Sequence, residues 1–251
     1  MQLACDGPEA GEGMDANPDI TILLPTRNEA ECIGKILAAT AAELERHRLS
    51  YEILVLDDES EDGTQKIALV RRQPPHAFGY AIRDGIRRAR GRLTVVMMAD
   101  LSDDPAFIAP MWKKFNEGYQ VIVGSRFVPG ARIRDYSALK MVANRLFNLA
   151  VKFCLLAPTN DMSNNFKAFD TSLAKRLPLT SKGFEVGAEI AIRMHLEGAR
   201  LAEMPVCWSD RSAGKAKFRL SHSFLNYFLL FVKMVGAAYL EGAIIRVLVK
   251  K

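Results

Sequence analysis

Residues 95–105 read VVMMADLSDDP, an apolar run that ends in a carboxylate, a short acidic loop and a proline. This pattern is typical of a buried strand that delivers an acidic side chain to the edge of a sheet, where open α/β folds bind their ligands. A carboxylate at that edge can hold a divalent cation, and the cation can hold phosphates. We predict that Asp103 and Asp104 cap a helix begun by Pro105. Asp100 lies too far upstream to cap the same helix and is therefore the candidate functional residue.

The segments around this stretch alternate between strand and helix patterns. Strands are predicted over 20–24, 51–56, 93–97 and 120–123, and helices over 28–46, 79–90 and 105–117. This alternation favours an α/β fold with a mostly parallel, Rossmann-like sheet flanked by helices. Polar residues end three of the strands, at Thr26, Asp57 and Asp100, and right-handed crossovers would gather them along one edge.

The rest of the chain is less regular. Helices are predicted over 138–155 and 184–196, strands over 166–169 and 200–208, and a basic loop over 210–219. Pro205 places the last strand near an edge or a bulge. We expect a disordered tail over residues 1–18, one α/β domain over 19–220 and a C-terminal helix over 221–251. The tail lacks the basic start and apolar core of a signal peptide.

The C-terminal segment is strongly apolar, with Lys233, Glu241 and Arg246 as charged interruptions. No uninterrupted apolar run reaches the roughly 18 residues expected of a spanning helix. Two interpretations stay open for this amphipathic helix. It packs on the domain, or it lies in the membrane interface or on a small membrane partner subunit.

Composition excludes several classes of protein. The 251 residues are 49% hydrophobic and 25% charged, and the net charge of +5 suits phosphate-bearing ligands or an anionic membrane surface. The four scattered cysteines predict reduced thiols in the cytoplasm. The glycine-rich motifs of dinucleotide oxidoreductases, P-loop enzymes and serine hydrolases are missing. Basic residues are not interleaved with aromatic ones, so no nucleic-acid partner is expected.

The cluster from Asp57 to Thr64 has two interpretations. Ser60 or Asp62 can cap a helix beginning near Thr64. Capping does not require two acids at the end of the strand, so Asp57 and Asp58 are candidates for binding a ribose or a base. Basic residues in and beside later loops could close over a pyrophosphate or hold an acceptor phosphate. They are Arg126, Arg132, Arg134, Lys140, Arg211, Lys215 and Lys217.

Six segments in this order resemble the inverting family 2 glycosyltransferases of the GT-A fold, with the dolichyl-phosphate mannose synthase type as the closest subgroup. The resemblance covers residues from about Asp19 to the C-terminus. The segments are ILLPTRNE at 22–29, VLDDES at 55–60, MMADLS at 97–102, GSRF at 124–127, DMSNNFK at 161–167 and DRSAGKAKF at 210–218.

The resemblance implies a role for particular positions. The donor nucleotide would be bound by Pro25, Arg27, Glu29, Leu56, Asp58, Ala99, Asp100, Ser102, Arg211 and Lys217. Asp100 would bind Mg2+ or Mn2+, with Ser102 as a second ligand. Arg211 and Lys217 would lie on a loop that closes over the diphosphate, and Arg126 and Lys140 would face the acceptor phosphate. The residues implied to act in catalysis are Asp100, Arg126, Arg211 and Lys217.

Three departures from the family pattern stand out. Met98 occupies the place of the first acid in the family's Asp-x-Asp motif. Asn164 and Asn165 replace Ser-Gly before Phe166. The interval between Thr64 and Gly79 leaves room for one element where the family has a helix and a strand, and we predict that an edge strand is missing.

The resemblance implies transfer of a hexose, with mannose as the first candidate, from a nucleotide sugar to a polyprenyl phosphate. The enzyme would associate peripherally with the cytosolic face of a membrane. Alternatives are another donor such as UDP-glucose, or a saccharide hydroxyl as acceptor, for which Asp161 is the candidate base. An alternative from another class is a non-catalytic module that binds nucleotides or lipids.

Overall fold

The computed structural model describes residues 17–67, 70–209, 220–240, 242 and 247. Its centre is a seven-stranded sheet in the order β3-β2-β1-β4-β7-β5-β8. The strands are β1 (Ile20–Thr26), β2 (Tyr51–Asp57), β3 (Val70–Arg71), β4 (Leu93–Val96), β5 (Val121–Ser125), β7 (Lys167–Asp170) and β8 (Leu201–Pro205). Strand β7 runs antiparallel to both of its neighbours, and the other pairs are parallel. The mostly parallel α/β sheet is therefore confirmed.

Helices cover both faces of the sheet. They are α1 (Ala30–Arg46), α2 (Phe78–Arg88), α3 (Ile108–Asn116), α4 (Ala138–Cys154), α5 (Thr171–Ala174), α6 (Val186–Leu196) and α7 (Leu220–Leu240). Alternate residues of β1 point to opposite faces because side chains of a strand have a period of two. Ile22 packs in the cluster that contains Ile33 of α1 and Met111 of α3, and Leu23 packs with Ile82 of α2.

Two short parallel strands, β6 (Arg132–Arg134) and β9 (Cys207–Ser209), form a second sheet. The predicted strand over 200–208 is thus two strands separated at Val206. The backbone N–H of Val206 donates to the carbonyl of Ser125, while the N–H of Arg132 donates to the carbonyl of Val206. The chain changes sheets at this residue, as the bulge predicted from Pro205 allows.

The predicted loss of an edge strand between Thr64 and Gly79 is wrong. Strand β3 pairs in parallel with β2, with Val70 opposite Leu56. The preceding described residues form only one 3-10 turn, Thr64–Lys66, where the family has a helix. A two-residue strand at an edge needs very little chain, which is why it fits into this short interval.

Helices α4 and α7 pack against each other beside the sheet. The rings of Phe147 and Tyr227 meet edge to face with their centroids 4.9 Å apart. The hydroxyl of Tyr239 donates to the carbonyl of Cys154 at 3.0 Å. Of the helices within the described ranges, α7 included, none combines the length and apolarity needed to cross a bilayer.

Candidate active site

The polar ends of three neighbouring strands lie along one edge of the sheet, as predicted. Strand β1 pairs with β2 on one side and with β4 on the other, and Thr26 is the register partner of Asp57. Asp100 follows β4 after a short turn and is 4% exposed. This edge is formed by the carboxyl ends of parallel strands, where open α/β sheets bind ligands.

The loop after β2 is fastened to the start of α1 by three side chains. Backbone N–H groups of Asn28, Glu29 and Ala30 donate to Ser60 Oγ at 2.8 Å, to Thr64 Oγ1 at 2.9 Å and to Asp62 Oδ2 at 3.0 Å. These N–H groups have no intrahelical partner at a helix start, so the loop supplies the partners. Asp62 Oδ1 also accepts from the N–H of Thr64 at 3.1 Å. The 3-10 turn that begins at Thr64 has Gly63 at its N-cap and no side-chain cap, so the prediction that Ser60 or Asp62 caps a helix there is wrong.

Asp57 and Asp58 lie at the end of β2 with defined partners. Asp57 accepts from the backbone N–H of Ser60 at 3.2 Å and from its hydroxyl. Asp58 forms an ion pair with Arg72 and lies 3.1 Å from His76 Nδ1. Both carboxylates are more than nine-tenths buried. They are held in place at the edge where the donor nucleotide was predicted.

The other residues implied to bind the nucleotide differ in how far their side chains are exposed. Arg27 is exposed at the end of β1, whereas Pro25 and Glu29 are buried. Leu56 is packed in the core with its side chain 2.7 Å from the position of a Cβ on Gly85. Ala99 is likewise part of a core cluster. Only the backbones of Leu56 and Ala99 can therefore reach a nucleotide.

Asp100 and Ser102 form the centre of the predicted metal site. The hydroxyl of Ser102 donates to Asp100 Oδ1 at 2.6 Å, and its backbone N–H donates to the same oxygen at 3.2 Å. Leu101 between them has a φ of 64°, a left-handed conformation that is unfavourable for leucine. This turn places two oxygen-bearing side chains side by side. Oxygen ligands of this kind suit Mg2+ and Mn2+.

Asp103 was predicted to be a capping residue, and that prediction is wrong. The cap is Asp104 alone, which accepts from the N–H of Ala106 at 2.9 Å. Asp103 points the other way, is 4% exposed, and accepts from the backbone N–H of Met98 at 2.9 Å. Burial, together with the neighbouring charge of Asp100, raises the pKa of Asp103 to about 7. The sequence did contain a signal for this second role. Two successive acids precede Pro105, and a helix cap needs only one of them.

Arg126 is held by Asp161 across 35 residues of chain. The guanidinium donates to Asp161 Oδ2 from Nε at 2.8 Å and to Oδ1 from Nη2 at 2.9 Å, and the backbone N–H of Arg126 adds a third bond at 2.9 Å. Burial alone would raise the pKa of Asp161, but the guanidinium lowers it below its usual value. Asp161 is 0% exposed, does not line the cavity described below, and both of its oxygens already accept hydrogen bonds from Arg126, so it has no open side from which to take a proton from an acceptor. The assignment of Asp161 as the base for a hydroxyl acceptor is corrected accordingly.

More polar groups extend this ion pair under α4. Asn148 donates to Ser163 Oγ at 3.0 Å, and the hydroxyl of Tyr136 accepts from Arg126 Nη1 at 3.2 Å. Lys167 is 1% exposed and donates to the carbonyl of Met162 at 3.0 Å. Burial lowers the pKa of Lys167 to about 7. Lys167 therefore carries less positive charge at neutral pH than an exposed lysine, and of the two buried cations Arg126 is the one that lines the cavity described next.

One cavity of about 400 Å³ brings the predicted metal and acceptor residues together. Its charged and hydroxyl lining includes Asp100, Ser102, Asp103, Arg126 and Lys140. Its apolar lining comes from α4 and α7 and includes Leu146, Phe147, Phe224, Tyr227, Phe228 and Phe231. Asn164 and Asn165, which depart from the family pattern, also line it. The cavity thus combines charged groups with aromatic and aliphatic ones.

Several predicted residues are not found in this cavity or cannot be placed. Asp161 supports Arg126 from behind and is not among the lining residues. Arg211 and Lys217, predicted on the closing loop, lie outside the described residues. Tyr136, Phe147, Trp208 and Tyr227 line the cavity without having been predicted. These four residues are far apart in the sequence and form no motif. The packing of the helices brings them together, so no signal in the sequence pointed to them.

The α/β sheet with acidic strand ends and one reversed strand defines a GT-A type of glycosyltransferase fold. Residues 21–177 match the sequence model of the family "Glycosyl transferase family 2", and the chain belongs to that family.

Two curated relatives agree with this membership. The chain is 24% identical to dolichol-phosphate mannosyltransferase of Pyrococcus furiosus over 212 residues, which cover 80% of this chain and 59% of that protein. It is 25% identical to polyprenol monophosphomannose synthase of Mycolicibacterium smegmatis, covering 78% of this chain and 79% of that protein. The chain thus spans less than two thirds of the Pyrococcus protein.

A structural likeness shows the same fold. The solved structure is that of glucosyl-3-phosphoglycerate synthase from Mycobacterium tuberculosis in complex with Mn2+, UDP-glucose and phosphoglyceric acid. Its TM-score is 0.67 at 17% identity, and the match covers 87% of this chain and 80% of that one.

Proposed function

We propose that this protein transfers a hexose, with mannose as the first candidate, from a nucleotide sugar to a polyprenyl phosphate with inversion at the anomeric carbon. The observation that carries the proposal is the cavity of about 400 Å³ that is lined both by carboxylates and cations and by apolar side chains of α4 and α7. An acceptor with an anionic head and a hydrocarbon tail would match both kinds of lining, the charged groups with its head and the apolar side chains with its tail. The names of the Pyrococcus and Mycolicibacterium relatives support this acceptor class.

Two of the residues assigned to the donor, Asp100 and Ser102, line the cavity. Asp100 and Ser102 would hold Mg2+ or Mn2+, and the bound cation would neutralise the charge that develops on the departing diphosphate. The Asp57–Asp58 end of β2 lies two strands away on the same edge and would bind the nucleoside. The Mn2+ and UDP-glucose in the Mycobacterium tuberculosis structure are consistent with this arrangement.

The acceptor needs positive charge from the protein and no general base if it is a phosphate. Arg126 and Lys140 line the cavity and would bind the acceptor phosphate. A phosphate is anionic at neutral pH, so it can attack the anomeric carbon without losing a proton to the protein. Asp161 stays ionised and bonded to Arg126 throughout, and its role is to orient the guanidinium.

The tail of the acceptor would lie between α4 and α7, which present an apolar surface to the outside. We call it the α4–α7 surface, formed by Leu139, Val142, Leu149, Phe153, Leu225, Leu229, Val232 and Leu240, all exposed. Lys233, which is exposed on the same helix, donates to Thr180 Oγ1 at 2.6 Å. A helix surface with this many exposed apolar side chains suits peripheral contact with a lipid bilayer, where the polyprenyl phosphate is found.

A second candidate function uses the same donor residues with another donor or acceptor. The acceptor would be a small phosphorylated compound or a saccharide hydroxyl, and the donor UDP-glucose. The phosphoglyceric acid in the Mycobacterium tuberculosis structure favours this candidate. The apolar walls of the cavity would then have no ligand to contact, which is why we place it second.

Product formation with a matched set of donors and acceptors tests the proposal. GDP-mannose and UDP-glucose are each combined with a polyprenyl phosphate, the polyprenol without phosphate, and 3-phosphoglycerate, with Mn2+ or with EDTA. We expect transfer to the polyprenyl phosphate alone, in the presence of the metal. Transfer to 3-phosphoglycerate would establish the second candidate, and nucleotide binding without any transfer would indicate a non-catalytic module.

A further inference from the structure

The turn after β4 contains a carboxylate that the folded chain does not need for its own structure. Asp104 caps the following 3-10 turn, so Asp103 is not required there. Asp103 Oδ2 accepts from the N–H of Met98, a bond that a neutral asparagine could make equally well. Oδ1 of Asp103 receives no hydrogen bond from any side chain or backbone group in the described ranges.

This carboxylate lies where the family pattern has lost one. Met98 stands at the position of the first acid of the Asp-x-Asp motif, and Asp103 contacts the backbone of that same residue at 2.9 Å. Asp103 also lines the cavity together with Asp100 and Ser102. Position 98 thus lacks an acid of its own, but the carboxylate of Asp103, from the other end of the turn, contacts the backbone of that residue.

We propose that Asp103 is the second carboxylate ligand of the divalent cation in this protein and replaces the acid that Met98 lacks. The proposal rests on the proposed function, since it concerns the metal that holds the donor diphosphate. Asp100, Asp103 and Ser102 would form the protein part of the coordination shell, and phosphate oxygens and water would complete it.

Electrostatics explains why an acid is placed there. Asp100 and Asp103 are each 4% exposed and line the same cavity, so two acidic side chains meet at one buried site. A cation bound between them would be attracted to both. A neutral residue at position 103 would make the metal-free protein more stable. The acid is therefore favourable only when a cation is bound.

The backbone keeps Asp103 in position. Its main chain forms an isolated antiparallel bridge with Trp208, beside β9. Trp208 in turn packs edge to face on Tyr136, with ring centroids 5.0 Å apart. Asp103 therefore lines the cavity from a part of the chain whose backbone is paired with Trp208.

Binding of Mn2+ in the presence of GDP or UDP tests the assignment without any turnover. Calorimetry and Mn2+ electron paramagnetic resonance are measured on the full chain for wild type, Asp103→Asn and the matched control Asp104→Asn. We expect Asp103→Asn to weaken Mn2+ binding by at least about 10-fold, and Asp104→Asn to leave it unchanged. We expect the double variant Met98→Asp/Asp103→Asn to recover most of the loss.

Thermal unfolding without metal separates a binding defect from a folding defect. Asp103→Asn removes a buried charge and keeps the bond to Met98, so its metal-free melting temperature should equal or exceed that of wild type. Mn2+ affinity of Asp103→Asn equal to that of wild type would overturn the proposal. If wild type binds Mn2+ through Asp103 but transfers no sugar to polyprenyl phosphate, the proposed function fails and the ligand assignment stands.

Discussion

Asp161 acts on the site through a single side chain, that of Arg126. It receives three hydrogen bonds from Arg126 and further ones from Ser163 and Asn148. Because both charges are buried, removing one partner leaves the other charge uncompensated in a poorly solvated place. The pair fixes the direction of the guanidinium toward the cavity, and this is a positioning role.

Asp161→Asn is expected to lower the free energy of unfolding by about 3–5 kcal/mol, because the charge of Arg126 stays buried without a counterion. Urea unfolding followed by circular dichroism measures the loss. The double variant Arg126→Gln/Asp161→Asn should be more stable than Asp161→Asn alone, since it buries no unpaired charge. An Asp161→Asn protein with wild-type stability, intact donor binding and no turnover would restore the general-base role.

At the scale of single elements, the start of α6 is fitted to the unusual Asn165. A Cβ on Gly187 would lie 2.1 Å from Asn165 Oδ1, and this oxygen is buried without a hydrogen-bond partner in the structure. In its present conformation Asn165 leaves room only for glycine at 187. Asn165 lines the cavity, so the two positions together shape this part of its wall.

Gly187→Ala is expected to destabilise the protein by about 1–3 kcal/mol through overpacking against Asn165. In a helix without this contact the same change is stabilising by up to about 1 kcal/mol. The sign of the change in unfolding free energy therefore shows whether the contact with Asn165 is present. The double variant Asn165→Gly/Gly187→Ala should recover the loss, as thermal or urea unfolding will show. Gly187→Ala with a gain in stability would mean that Asn165 is free to turn away.

Long apolar elements could be predicted from the sequence, and short or reversed ones could not. The predicted strands and helices around Leu56, Ile82 and Val95 lie within a few residues of β2, α2 and β4, since hydrophobic periodicity is local information. Strands β3 and β6 have two and three residues, too few to show a period. The reversal of β7 depends on its partners in β4 and β5, which are distant in sequence.

The same distinction applies to the site. Asp100 was predictable because it ends an apolar strand, and Asp104 because it precedes Pro105. The pairing of Arg126 with Asp161 was not predictable, because it joins two loops through the reversed strand β7. The orientation of Asp103 toward Met98 depends on the left-handed turn at Leu101, a conformation that leucine rarely adopts.

At the scale of the whole molecule, the α4–α7 surface is expected to bind lipid vesicles. On α4, Leu139, Val142, Leu146, Leu149 and Phe153 follow one another at spacings of three and four residues and therefore share a helix face. All five are exposed. Burial of such side chains is worth about 1.5–3 kcal/mol each, so two of them contribute measurably to membrane affinity.

Val142→Glu/Phe153→Glu should reduce binding to anionic phospholipid vesicles by at least about 10-fold, because it removes two apolar contacts and adds two negative charges. Neither residue lines the cavity, so binding of the donor nucleotide should stay unchanged. Ala38→Glu/Ala39→Glu, on exposed positions of α1, adds the same charge elsewhere and serves as the control. Vesicle sedimentation provides the measurement, and equal binding by both variants would refute the surface assignment.

The place of β7 in the sheet also determines the order in which this chain can complete its fold during synthesis. Both strands that flank β5 in the finished sheet, β7 and β8, leave the ribosome after it. Until Pro205 has emerged, β5 lacks one or both of its native neighbours, and exposed strand edges are the usual starting points of aggregation. The Arg126–Asp161 contact forms within this late stage. Translation speed and chaperones should therefore act on the yield of folded protein mainly while the C-terminal half is being synthesised.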